Sequence, residues 1–449
     1  MGESEPIVVV GAGLAGSEAA WQIARMGHGV RLYEMRPQKP TPAHQTGLFA
    51  ELVCSNSLKS DEPDSPQGLL KAELRGLGSL VLSVADAHRV PAGKALAVDR
   101  YALASAVTEV IEASPLIDVV RGELAQIDTT TRTVVATGPL TSNALSESLA
   151  SIIGSRHLYF FDAISPTVEA DSVDLSRSFW GARYLPDRDD YLNCPLSEEE
   201  YSAFRNALLG AEMAEPHDFE RRFLFEGCLP VEEMARRGEM TLAFGPLKPV
   251  GLVDPKTGKR PFACLQLRRE NKAGTLLSLV ACQTRLKHSE QRRVFGLIPA
   301  LRNASFARYG AMHRNMFVNA PSVLTDCHQL KTAPDVFLAG QITGVEGYVE
   351  SIASGLITGV NAARIALGLE PALPPSNTMV GAIMRYPTSA DPEHFQPMNA
   401  NFGIIASDPA VRRMRRRLRK AAIAEVALAS LQEWGSKIEP FMQGQSSSA

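Results

Sequence analysis

Ile7-Val8-Val9-Val10-Gly11-Ala12-Gly13-Leu14-Ala15-Gly16-Ser17-Glu18-Ala19-Ala20 is the stretch that decides the fold class of this chain. Four β-branched residues read as a buried parallel strand, the glycines as a tight turn, and residues 17–25 as a helix. A strand, a Gly-x-Gly-x-x-Gly turn and a helix are the arrangement that holds the pyrophosphate of a dinucleotide. Gly11 permits the turn, Gly13 lets the backbone approach a phosphate, and Gly16 lets the helix pack close to the strand. The helix N-terminus offers N–H groups and a partial positive charge to the phosphates. Gly11, Ala12, Gly13, Leu14, Ala15 and Gly16 are therefore the expected cradle. A second strand, over 30–33, ends at Glu34, placed to accept hydrogen bonds from ribose hydroxyls. This stretch alone does not choose between FAD and NAD.

The choice comes from farther along. A strand over 133–136 runs into Thr137-Gly138, and a late strand ends in Ala339-Gly340-Gln341. A strand ending in Ala-Thr-Gly resembles FAD enzymes of the glutathione reductase type, in which the late strand carries Gly-Asp and the acid binds the ribityl chain. Gln341 replaces that acid, keeping hydrogen bonding but not charge. The helix expected over 349–367 turns its N-terminus toward the cofactor. No second strand-glycine-helix unit occurs, and Gly76-Leu77-Gly78 reads as a helix cap. A nicotinamide cofactor therefore has no Rossmann domain of its own and binds transiently.

With 449 residues and 45% hydrophobic content, the chain is long enough for two or three domains with a sizeable core. A formal net charge of −3 gives no global attraction to nucleic acid, so any such binding falls to local patches. There is no run of about 18 apolar residues and no signal-like N-terminus, so a cytoplasmic location without membrane contact is expected. The six cysteines include no CxxC pair, and the nine histidines are scattered, so no metal site is expected.

Residues 37–68 read as a long functional loop with a short helical piece, 69–82 as a helix, and Asp99 as the N-cap of another over 101–112. Between 187 and 299, charged helical segments alternate with strand-like pieces. The expected class is α/β. A glutathione-reductase-type FAD-binding Rossmann domain (1–186 and 300–442) would carry an inserted α+β substrate domain (187–299), with a disordered tail over 443–449.

Two cysteines stand out. Cys54 lies in the long loop, and Cys228 lies in Phe225-Glu226-Gly227-Cys228-Leu229-Pro230, with Arg221, Arg222, Arg236 and Arg237 nearby, a setting that can depress a thiol pKa. On this ground alone the structural reading of each thiol outweighs the catalytic one. The run from Arg412 to Lys420 is basic at seven of nine positions. It is either a solvated helix face beginning near Asp408-Pro409 or a phosphate-binding patch, with Arg412, Arg415, Arg416 and Arg419 as RNA contacts.

Several motifs together resemble one family. They are Gly-Ala-Gly-Leu-Ala-Gly-Ser-Glu-Ala-Ala at 11–20, Tyr33-Glu34-Met35-Arg36-Pro37, Glu51-Leu52-Val53-Cys54-Ser55-Asn56-Ser57, and Tyr159-Phe160-Phe161-Asp162-Ala163-Ile164-Ser165-Pro166. To these are added Phe225 to Pro230, Phe244-Gly245-Pro246-Leu247-Lys248-Pro249-Val250-Gly251-Leu252, the stretch from Gly340 to Ser351 and the stretch from Gln396 to Gly403. They resemble the folate- and FAD-dependent tRNA (uracil-5-)-methyltransferases, from about residue 6 to 405. The resemblance implies synthesis of ribothymidine in the T-loop of tRNA. It also implies 5,10-methylenetetrahydrofolate as one-carbon donor, FADH2 reduced by NADH or NADPH as reductant, and no obligatory protein partner.

Carried over by position, Cys54 and Cys228 are the catalytic pair, with Cys228 favoured as the thiolate that adds to uracil C6. Gly340, Gln341, Gly347 and Tyr348 join Gly11–Gly16 and Glu34 around the cofactor. Departures from the family pattern are Ser65-Pro66 for Asn-Ala, Lys94 for a small residue and Ala281-Cys282 for Gly-Phe. Two other readings compete: a flavoprotein of tRNA wobble-uridine modification, which carries a longer C-terminal helical extension, and a catalytically idle FAD-bound tRNA-binding protein. A flavin disulfide reductase is disfavoured by the missing cysteine pair and NAD domain.

Overall fold

The structure, a computed structural model, describes residues 5–155, 158–163, 165–185, 188–213, 229–269, 274–310, 312–393, 395, 397–406, 411 and 414–438. Its organising sheet has six strands in the order Gln329–Leu330, Ala333–Leu338, Thr133–Val135, Ile7–Val10, Val30–Glu34, Ile117–Arg121. All neighbours run parallel except the Gln329–Leu330 edge. The chain leaves Ile7–Val10 to one side for Val30–Glu34 and returns on the other side for Thr133–Val135. That change of direction opens a crevice at the carboxyl ends of these strands, where doubly wound sheets bind ligands.

Two helices bring the sequence-distant halves together. Leu14–Arg25 follows the glycine turn, and Tyr348–Ala366 is buried along almost its whole length. They cross at small residues: a Cβ on Gly355 would fall 2.2 Å from the Ala15 carbonyl oxygen, and one on Gly359 2.7 Å from Ala19 Cα. Larger residues there would push the late helix off the early one. Buried carboxylates anchor further helices. Glu18 accepts from Ser79 Oγ at 2.7 Å and from the Leu80 and Val81 N–H groups, holding the start of Leu80–Ala87. Glu73 does the same for Met379–Ser389 through Met379 and Val380 at 2.8 and 2.7 Å.

A second, fully antiparallel sheet runs Phe179–Gly181, Tyr191–Leu196, Ala263–Arg269, Leu276–Leu279, Thr167–Glu169, Phe306–Arg308. Helices Glu198–Leu209 and His288–Phe295 close its own core around Tyr201, Phe204, Leu265 and Phe295. This layer reaches beyond the expected 187–299 on both sides, because Thr167–Glu169, Phe179–Gly181 and Phe306–Arg308 belong to it. Strands of three residues are too short to show a period-two pattern.

The segment expected as one helix over 69–82 is two, Pro66–Gly76 and Leu80–Ala87, broken where Gly78 adopts φ +73°. Ser65 caps the first of them through the Gly68 N–H, with Pro66 at the position where a missing N–H does no harm. Asp99 caps Arg100–Glu112 as expected. Among the described residues no helix is long and apolar enough to cross a membrane, and no cluster of His, Cys, Asp or Glu could hold a metal ion.

Candidate active site

The crevice beside the glycine turn is a cleft of about 1010 Å³, including space open to solvent. Its wall combines Gly11, Gly13, Leu14 and Ala15 with Glu34, with Ala136-Thr137-Gly138, and with Gly340, Gln341 and Tyr348. The early, middle and late motifs of the sequence thus meet. Gly11 has φ +94°, and a Cβ on Gly16 would stand 1.7 Å from the Gly11 carbonyl oxygen, so both positions require glycine. A Cβ on Gly13 would meet nothing within 4 Å, which leaves open space before the first helical turn where a pyrophosphate fits. Gly340, at φ +77°, passes over Ala15, whose Cβ would lie 2.7 Å from a side chain there, and its N–H is held by Ser354 Oγ at 2.9 Å.

Glu34 is 5% exposed and more engaged than the sequence suggests. One oxygen accepts the Ala12 N–H at 2.9 Å, and the other accepts the Arg36 N–H and Nε at 3.0 and 2.9 Å. Burial raises its carboxyl pKa, but the bonds from Arg36 and Ala12 outweigh that and hold it below the ordinary value. Each carboxylate oxygen retains acceptor capacity beyond these bonds, and Glu34 forms part of the cleft wall, as a ribose partner must. Arg36, itself buried, reaches on to Glu51 and to the Thr46 carbonyl, tying the strand end to the long loop.

A second cleft adjoins the first and shares Gln341 and Tyr348 with it. Cys54, Ser55, Glu350, Arg268 and Gln283 are among its walls. The Cys54 loop is fixed from several sides. Tyr348 Oη accepts the Cys54 and Ser55 N–H groups at 2.7 and 3.1 Å. Arg308 donates to the Val53 carbonyl at 2.7 Å, and Arg100 to that of Leu52 at 3.1 Å. Asn56, fully buried, accepts from Arg268 Nε at 2.6 Å and donates to the Val98 and Arg269 carbonyls. The loop is therefore clamped between the Rossmann layer and the inserted sheet. Burial pushes the Tyr348 hydroxyl well above the ordinary phenol value, so it stays neutral.

Cys228 lies outside the described residues, as do Arg221, Arg222 and Arg412. Val231, three residues beyond Cys228, donates its N–H to the carbonyl of Gln283 at 2.7 Å, and Gln283 lines the second cleft. Cys194, Cys264 and Cys282 are fully buried, and burial drives their thiols up, to about 12 for the latter two. They are structural thiols. Arg415 is exposed just before the helix Arg416–Lys437, which starts inside the basic run, and Arg419 sits half-buried in its first turn. Cations at a helix N-terminus oppose its dipole. Helix stability therefore does not account for this cluster.

Sequence reading missed Asn56, Arg268, Arg308 and Glu350. Asn56 lies two residues from Cys54 in the chain, but its partners Arg268 and Arg269 are more than two hundred residues away, and nothing local signals them.

Residues 6–370 match the family described as GIDA, glucose inhibited division protein A. A protein of Desulforudis audaxviator named methylenetetrahydrofolate–tRNA-(uracil-5-)-methyltransferase TrmFO is 56% identical over 95% of this chain and 98% of its own. The Aquifex aeolicus protein of the same name is 54% identical over 96% of each. The chain belongs to the TrmFO family. Among solved structures, Aquifex aeolicus GidA superimposes with a TM-score of 0.70 over 98% of this chain and 75% of that one, at 16% identity. That likeness shows a shared fold. The contrast between 56% and 16% identity places this chain with the TrmFO proteins.

Proposed function

We propose that this chain methylates C5 of a uridine in tRNA, taking the one-carbon unit from 5,10-methylenetetrahydrofolate, and that its target is the T-loop uridine that becomes ribothymidine. The observation that carries this reading is the junction of the two clefts, where Cys54, Gln341 and Tyr348 stand together. One cleft fits an extended dinucleotide, and the other, lined by both polar and apolar residues, is large enough for a second ring system. The glycine turn, the open space at Gly13 and the Glu34 carboxylate would hold FAD. Bound FAD, reduced by NADH or NADPH, supplies the two electrons that convert the transferred methylene to a methyl.

The chain's own residues have separate tasks. Uracil C5 is a poor nucleophile until a thiolate adds at C6 and turns the ring into an enolate. Cys228 takes that role, and the attachment of Val231 to the cleft residue Gln283 supports it. Cys54 is the thiol beside the cofactor, positioned to move a proton at the reacting carbons while Tyr348 and Arg308 hold its backbone. Arg412, Arg415, Arg416 and Arg419 contribute a phosphate-binding patch for the tRNA.

A methylation assay with labelled methylenetetrahydrofolate, NADPH and an unmodified tRNA transcript tests this reading. Label in ribothymidine at the T-loop position is expected, with no product when S-adenosylmethionine replaces the folate. Label at another uridine would overturn the T-loop assignment, and tRNA binding without label would favour the idle binding protein.

A further inference from the structure

Glu350 is the third residue of the helix Tyr348–Ala366 and is 1% exposed. Its Oε1 accepts the Ala400 N–H at 2.9 Å, while its Oε2 has no hydrogen-bond partner among the described residues. A buried carboxylate oxygen without a donor is unfavourable, and a native protein that keeps one completes it with a water, an ion or a ligand, or uses it in function. The oxygen lies where a Cβ on Gly347 would come within 2.1 Å, against the turn that forms one wall of the second cleft, and Glu350 is among the residues lining that cleft with Cys54, Gln341 and Tyr348. Gly347 has φ +125°, so glycine is required there by conformation as well as by the space this carboxylate takes.

The nearby buried cation does not serve it. Lys71 Nζ donates to the carbonyls of Leu58, Ser60 and Gln67 at 2.8, 2.6 and 3.0 Å, which uses its three hydrogens. Among the described residues Glu350 thus keeps one carboxylate oxygen unpaired beside the cleft.

We propose that Glu350 Oε2 recognises the 2-amino-4-oxopyrimidine edge of the folate donor, which makes it a specificity-determining residue. The proposal rests on the reading that the second cleft receives that donor. Three heterocycles meet in this reaction, and their edges differ. Uracil and the flavin pyrimidine each offer one N–H flanked by two carbonyl oxygens, which a carboxylate would repel. The pterin ring instead offers its 2-amino group next to its N3–H, two adjacent donors matched to a carboxylate oxygen with two lone pairs. Discrimination by buried polar groups is strong, because a ligand lacking the donor leaves the acceptor unpaired.

The test is calorimetric titration of the FAD-loaded protein, without tRNA, using tetrahydrofolate and its 2-desamino analogue. Wild type should bind the analogue roughly tenfold or more weakly than tetrahydrofolate. Glu350→Gln, which turns an N–H donor toward the pterin donors, should lose affinity for tetrahydrofolate by a similar factor and no longer distinguish the two, with FAD content and tRNA affinity unchanged. Equal affinity of wild type for both folates overturns the proposal, and this arm stands if the variant fails to fold. So does unaltered tetrahydrofolate affinity in Glu350→Gln. In either case ribothymidine formation by wild type would leave the functional reading intact. A wild type that neither binds tetrahydrofolate nor forms ribothymidine would overturn both.

Discussion

Tyr348 Oη accepts the backbone N–H of Cys54 at 2.7 Å, joining a thiol-bearing loop to the start of a helix 294 residues away in the chain. Ser55 donates to the same oxygen. One hydroxyl thus fixes where the thiol stands relative to the cofactor cleft. Tyr348→Phe removes the acceptor from two N–H groups and leaves the Gly11–Gly16 cradle untouched. The expected result is retained FAD, a KM for tRNA near wild type and a kcat lowered roughly ten- to hundredfold by misplacement of Cys54. Steady-state kinetics on purified yellow protein check it, and an unchanged kcat would remove Tyr348 as the anchor.

Ala281, on the wall of the same cleft, adopts φ +56°. The left-handed region is unfavourable for a residue with a Cβ. Ala281→Gly should raise stability by about 1 kcal/mol, offset in part by the extra freedom of glycine in the unfolded chain. Thermal unfolding should show a small upward shift in Tm; a fall would mean that the Ala281 methyl packs better than its backbone angle suggests.

His328 is fully buried, with Nε2 against the Met384 carbonyl at 2.9 Å, and burial lowers its pKa to about 4. An unfolded chain protonates it near the ordinary value of about 6.5. Below that value the unfolded state binds the extra proton and the folded state does not. The contribution of His328 is therefore complete above pH 6.5 and is lost as pH falls toward 4. Relative to His328→Gln, wild type should lose about 2 kcal/mol between pH 7 and pH 5. Buried Glu73, raised to about 7, shifts the total curve the other way, so the comparison between variant and wild type is the informative quantity. Urea unfolding at both pH values measures it, and parallel curves would show that His328 is protonated in the fold.

The glycine turn and Glu34 were legible in the sequence because their physics is local: a strand, a turn that needs φ above zero, a helix start. The inserted layer was legible as a change of character, but its edges at Thr167–Glu169 and Phe306–Arg308 were not, since three residues carry no period. Cys54 stood out by its loop, whereas its attachment to Tyr348, Arg308 and, through Asn56, Arg268 depends on how two layers pack. Glu18 and Glu73 read as ordinary helix residues. Only the fold shows each of them holding the start of another helix.

The basic run before and within the helix Arg416–Lys437 yields a further prediction. Arg415→Glu combined with Arg416→Glu should weaken tRNA binding and reduce the slope of log affinity against log salt by roughly one to two. Filter binding at several salt concentrations checks this, and an unchanged slope would remove the patch from the interface.

The most direct test of the central claim is transfer of labelled methylene from tetrahydrofolate to tRNA by wild type, Cys54→Ala and Cys228→Ala, each carrying FAD and binding tRNA. Label should appear as ribothymidine with wild type and fall by roughly three orders of magnitude or more in both variants, since each thiol acts directly in the chemistry. Wild-type turnover in Cys54→Ala would contradict the assignment of the cleft junction as the reacting centre.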